Sequence, residues 1–105
     1  MTDVDVLVAG AGAAGTAAAA AAAQRGCSVL IVEAVDAFQR SSNTAMSTAM
    51  IPAGGSRWQN DAGVDDSPDV FLSDIVAKTS GTADSVVARA LVDEAPRLVE
   101  WLADS

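Results

Sequence analysis

The residues of this sequence whose types and spacing could do chemistry lie early in the chain. Gly10, Gly12 and Gly15 stand at GxGxxG spacing within Gly10-Ala11-Gly12-Ala13-Ala14-Gly15, and the acidic residue Glu33 follows at the separation of roughly twenty residues that a dinucleotide fingerprint requires. Each glycine has its own task in such a turn: Gly10 lets the chain reverse sharply, Gly12 lets a pyrophosphate approach the backbone, and Gly15 lets helix and strand pack closely. Unpaired amides at the start of the helix, Ala14 among the candidate cofactor-binding positions, then face an anion and add the partial positive charge of a helix N-terminus. Glu33 offers two acceptors to the vicinal hydroxyls of a ribose and repels the extra phosphate of NADP, so FAD or NAD is the expected ligand.

These residues need a strand before the loop, a helix after it and a second strand ending at Glu33. Val4-Asp5-Val6-Leu7-Val8-Ala9 is a short β-branched run that stops at glycine, as a buried parallel strand does. Ala13 to about Arg25 holds no proline and is rich in alanine, the best helix former, and Gly26 supplies a left-handed stop. Ser28 to Val32 is a second apolar run ending near Glu33, and a helix joining two such strands implies a parallel pair. The expected fold class is α/β: a Rossmann-like dinucleotide-binding βαβ unit over residues 1–33, a loop region over 34–66 and a helical segment over 67–105, with the sheet incomplete.

Between Ala34 and Asp66 the regular signals fade, and Gln39 to Asn43 with Pro52, Gly54 and Gly55 reads as long irregular chain. Ser67-Pro68-Asp69 places a capping residue, a first-turn proline and an early acidic residue in order, opening a helix to about Lys78. Val86, Val87, Ala90 and Leu91 begin a further apolar stripe that continues through Leu98, Val99 and Leu102. Pro96 lacks a backbone donor and disfavours helical geometry at Ala95, so a break is expected there. Two strands cannot cover several amphipathic helices, so the sequence reads as part of a longer chain.

Composition narrows the classes. Six Lys and Arg against fourteen Asp and Glu give a net charge of -8, with no basic cluster to attract a phosphate backbone, so nucleic-acid binding is not expected. The absence of His and the single Cys27 leave no zinc cluster and no internal disulfide, which fits a reducing, cytoplasmic compartment, and no metal site is expected. The apolar stretch from Val4 to Ala23 follows Asp3 rather than a basic region and contains three glycines, so neither a secretory signal nor a membrane span is expected. Cys27, beside an apolar strand, reads as a small core residue.

Beyond the fingerprint, Ser42-Asn43-Thr44-Ala45-Met46-Ser47, the stretch from Trp58 to Pro68, and Leu98-Val99-Glu100-Trp101-Leu102 resemble the FAD-binding domain of the fumarate reductase and succinate dehydrogenase flavoprotein family. The likeness covers almost the whole chain and implies FAD rather than NAD. In that family the loop after the second strand reads Gly-Gly-Asn-Ser/Thr and contacts FAD. Asn43 and Thr44 match its last two positions, while Ser41 and Ser42 stand where the glycines would be. A small-residue pair that lies against the flavin in relatives falls at Ala49 and Met50.

The resemblance implies an FAD-dependent oxidoreductase that moves a hydride between flavin N5 and a carbon-carbon bond beside an electron-withdrawing group of a small-molecule substrate. The groups that polarise substrate and move protons, typically Arg and His in this family, are expected beyond Ser105. The alternatives are a 3-ketosteroid dehydrogenase-like flavoenzyme, which shares the front half, and a non-catalytic remnant.

Overall fold

The computed structural model describes residues 3–105. The chain divides into two compact units, the first ending at Met50 and the second spanning Ile51–Ser105.

In the first unit, β1 (Val6–Ala9) and β2 (Val29–Val32) form a parallel pair in the register Val6 with Val29 through Ala9 with Val32. Between them runs α1 (Ala13–Gln24), which packs on both strands through small side chains, Ala19 being buried. The helix stops as expected. Gly26 takes φ +85, its amide bonds the Ala23 carbonyl at 2.9 Å and the Cys27 amide bonds the Ala22 carbonyl at 3.2 Å, the paired bonds of a Schellman motif. The Arg25 guanidinium donates to the Ala21 carbonyl at 2.9 Å, adding positive charge at the negative end of the helix dipole.

A clip that the sequence reading did not foresee joins the strand entrances. The Asp5 carboxylate accepts from the Ser28 amide and hydroxyl, both at 2.8 Å, and the Ser28 hydroxyl accepts from the Asp5 amide at 3.0 Å. Its signal was present: one polar residue immediately precedes each apolar run, at positions that the parallel register brings together. On the sheet itself Leu7 is 62% exposed and Leu30 42%, so strand side chains of a type usually buried on both faces remain open.

The stretch expected to be irregular contains three short helices: α2 (Phe38–Ser41) and α3 (Asn43–Met46) in the first unit, and α4 (Arg57–Asp61) in the second. Local capping overrides the weak periodicity. Ser42 accepts from the Ala45 amide at 3.1 Å to open α3. Ser56 and Gln59 form a capping box over α4, a Ser-x-x-Gln pattern that was legible in the sequence.

In the second unit, α5 (Pro68–Lys78) and α6 (Ser85–Asp104) pack side by side. Ser67 caps α5 with Pro68 in its first turn, as expected, and the Asp84 carboxylate caps α6 by accepting from the Val86 and Val87 amides. The expected break at Pro96 does not occur, since α6 is a single helix of 20 residues with Pro96 inside it. An interior proline costs about 3 kcal/mol. Burial on both sides of it offsets that cost: Ala88, Val92 and Ala95 are buried before it, and Val99 and Trp101 are half-buried after it. Arg89 of α6 also bridges to Asp69 of α5 at 2.7 Å.

Candidate cofactor site

The end of β1 and the end of β2 open onto a groove of about 430 Å³ lined by Ala9, Gly10, Val32, Glu33 and Ala34. Ligands of parallel α/β folds bind at this position, outside the carboxyl ends of the strands. The second unit contains a larger groove of about 610 Å³, walled by apolar side chains such as Val86, Val87, Leu91 and Leu98, with Glu94 as its one charged residue. That groove has a carboxylate but no glycine turn or open amides suited to a phosphate, so the smaller one is the candidate site.

The three fingerprint glycines stand in three different environments. Gly10 takes φ +104 with open space where a Cβ would be, so its need is conformational. At Gly15 a Cβ would overlap the Gly10 carbonyl oxygen and press on Val8 Cγ1 at 3.2 Å, so its need is close packing of α1 on β1. Gly12 has an ordinary extended backbone, φ -74 and ψ -178, and a Cβ there would meet only Thr44 Oγ1 at 3.5 Å. Nothing in the chain's own packing demands glycine at 12. The position makes sense as a cradle that a Cβ would fill, against a group that is not protein.

Glu33 is held by three backbone amides. Its Oε2 accepts from Ala11 at 2.8 Å, and its Oε1 accepts from Ala34 at 2.7 Å and Val35 at 3.2 Å. Foremost the Ala11 amide, then those of Val35 and Ala34, hold the carboxyl below the ordinary glutamate range, so it is ionised at neutral pH. The sequence reading left both oxygens open to a ribose. Of about four acceptor directions on a carboxylate, three are taken, and the open one is on Oε2.

Thr44 reaches the same loop from α3, its hydroxyl accepting from the Ala13 amide at 2.9 Å. The structure therefore gathers Gly10, Gly12, Ala14, Gly15, Glu33 and Thr44 at one end of the first unit. Among the described residues, the amides of Gly12, Ala14 and Gly15 meet no protein acceptor. Open amides at a helix start, beside a glycine cradle, suit a diphosphate. Asn43, at the start of α3, is exposed and its side chain makes no hydrogen bond among the described residues. Ala49 takes φ +58, the left-handed conformation that glycine adopts freely. The sequence reading missed that Ala11 and Ala13 supply the amides that Glu33 and Thr44 hold, because backbone donors leave no trace in residue type.

Among the described residues there is no group of three or more His, Cys, Asp or Glu placed to hold a metal ion, and no helix is long and apolar enough to cross a membrane.

Comparison with known proteins agrees with this geometry. Residues 5–105 match the FAD binding domain family. The chain is 37% identical over 100 residues to an NADH:fumarate oxidoreductase of Klebsiella pneumoniae (strain 342), an alignment that covers 95% of this chain and 11% of that protein. No solved structure matches. With its glycine cradle, open amides and acidic strand end in place, the chain belongs to the FAD binding domain family, in the fumarate reductase and succinate dehydrogenase flavoprotein group.

Proposed function

We propose that this chain forms the adenosine-diphosphate end of the FAD site in a flavin-dependent oxidoreductase of the fumarate reductase type. The observation that carries the reading is Gly12, a glycine that no contact or backbone angle within the protein requires, whose own amide and those of Ala14 and Gly15 meet no protein acceptor among the described residues. Gly12, Ala14 and Gly15 would hold the diphosphate, Glu33 the ribose through Oε2, and Asn43 the cofactor beyond it, with Thr44 acting on the turn between Gly12 and Gly15. In this division residues 1–33 are the dinucleotide-binding unit, 34–66 an FAD-contacting loop region and 67–105 a helical segment.

When bound, FAD supplies hydride exchange at N5 with a carbon-carbon bond beside an electron-withdrawing group. The likeness to an NADH:fumarate oxidoreductase supports a small unsaturated dicarboxylate as the acceptor. Substrate-polarising residues are not among those gathered at this site. A cytoplasmic location goes with the reading, on the strength of the lone Cys27.

The test uses the full-length protein. It should purify with, or take up, one FAD, and Gly12→Val should abolish that binding while leaving the fold intact by circular dichroism. Anaerobically reduced protein should be reoxidised by added fumarate, followed by flavin absorbance. Tight FAD binding in Gly12→Val would sink the assignment of the cradle; reoxidation by a steroid enone but not fumarate would sink the substrate class.

A further inference from the structure

The amides at the head of α1 are divided in an uneven way. Gly12 occupies the capping position and has no side chain to give. A serine or aspartate there would accept from the amide two or three residues on, which here means Ala14 or Gly15. Instead a hydroxyl 31 residues away, that of Thr44, takes the Ala13 amide at 2.9 Å. The amide earlier in the turn is satisfied from outside the helix, and the two later ones stay open.

Thr44 is itself firmly presented. Ser42 caps α3 through the Ala45 amide at 3.1 Å, and the Ser47 hydroxyl donates to the Thr44 carbonyl at 2.9 Å. Thr44 Oγ1 would lie 3.5 Å from a Cβ on Gly12, so it borders the cradle without filling it.

We propose that Thr44 is a positioning residue for cofactor binding: it caps α1 from α3, fixes the direction of the first turn through Ala13, and leaves the Ala14 and Gly15 amides free for an anion. A cap carried by residue 12 itself would stabilise the same turn and close the site. The capping half stands on the hydrogen bonds alone, and the cofactor half rests on the FAD reading above.

Three variants of the full-length protein separate the possibilities. Thr44→Val keeps the shape and removes the hydroxyl, Thr44→Ser keeps the hydroxyl, and Ala13→Pro deletes the donor at a first-turn position where proline is tolerated. In FAD-free protein, hydrogen exchange at the Ala13 amide should quicken about fivefold or more in Thr44→Val and stay near wild type in Thr44→Ser. The FAD dissociation constant should rise by a similar factor, about fivefold or more, in Thr44→Val and return in Thr44→Ser.

On the Ala13→Pro background, Thr44→Val should have little further effect on FAD affinity. An undiminished effect there overturns the proposal, since it would put Thr44 directly on the cofactor. Unchanged exchange in Thr44→Val, or Thr44→Ser behaving like Thr44→Val, overturns the capping role. Failure of wild-type protein to bind FAD would defeat the function proposed above, while the exchange measurements would still decide the cap.

Discussion

The carboxylate of Glu33 and the amide of Ala11 are hydrogen-bonded at 2.8 Å, so the acidic residue that ends β2 grips the glycine loop that follows β1. Two further amides, of Ala34 and Val35, steady the other oxygen. In the proposed role, a carboxylate fixed in this way would meet a ribose hydroxyl without first being ordered, which lowers the entropic cost of binding.

Replacing that group should therefore damage both the loop and the ligand contact. Glu33→Ala in the full-length protein is expected to weaken FAD binding about tenfold or more, and to speed hydrogen exchange at the Ala11 amide. Glu33→Gln, with one oxygen in place of two, should fall between the variant and wild type. Fluorescence titration with FAD measures the first effect; wild-type affinity in Glu33→Ala would count against the ribose role.

Acid should loosen the first unit through two carboxylates. Three backbone amides, Ala11's foremost, hold Glu33 below its ordinary range, and the Ser28 amide followed by the Ser28 hydroxyl does the same for Asp5. Because each folded-state value is below the unfolded one, their stabilisation is fully present above the ordinary carboxylate range. It is lost as pH falls through the folded-state values. Melting curves against pH should show this acid limb in wild type and a shallower limb in Glu33→Gln and in Asp5→Asn. An identical limb in both variants would refute the assignment.

Glycine substitutions at two positions at the head of α1 should have opposite consequences for stability. At Gly15 an alanine Cβ would meet the Gly10 carbonyl, pushing α1 off β1 at a cost of about 1–3 kcal/mol. At Gly12, where the backbone is already extended and a Cβ fits, serine should cap α1 through Ala14 or Gly15 and stabilise by a few tenths of a kcal/mol. Gly12→Ser should also occupy those amides and lose FAD. Thermal melts paired with FAD titrations check both; a Gly12→Ser protein that binds FAD normally would contradict the cradle.

Pro96 gives a test that does not involve the cofactor. Its position inside α6 deprives the Val92 carbonyl of its helical donor, so Pro96→Ala should raise stability by about 1–2 kcal/mol, reduced by the greater freedom alanine gives the unfolded chain. Chemical denaturation measures this. A destabilised Pro96→Ala would mean that the ring's own packing outweighs the missing hydrogen bond.

The sequence by itself determined the elements whose signals are local. Apolar runs placed β1, closed by Gly10, and β2, which stops before Glu33; alanine content and Gly26 placed α1, and Ser67-Pro68 opened α5 at the position observed. GxGxxG with Glu33 marked the candidate site, because turn geometry and spacing are properties of neighbouring residues. The Ser56-x-x-Gln59 box was equally local and could have been read. Long-range packing and backbone hydrogen bonding were not legible in this way. That α6 runs unbroken through Pro96 depends on what Ala88, Val92 and Ala95 bury against. That Glu33 spends most of its acceptors on Ala11, Ala34 and Val35, and that Thr44 caps a helix it does not belong to, depends on backbone amides. These are the same in every residue but proline, and only the tertiary fold decides which of them a side chain meets.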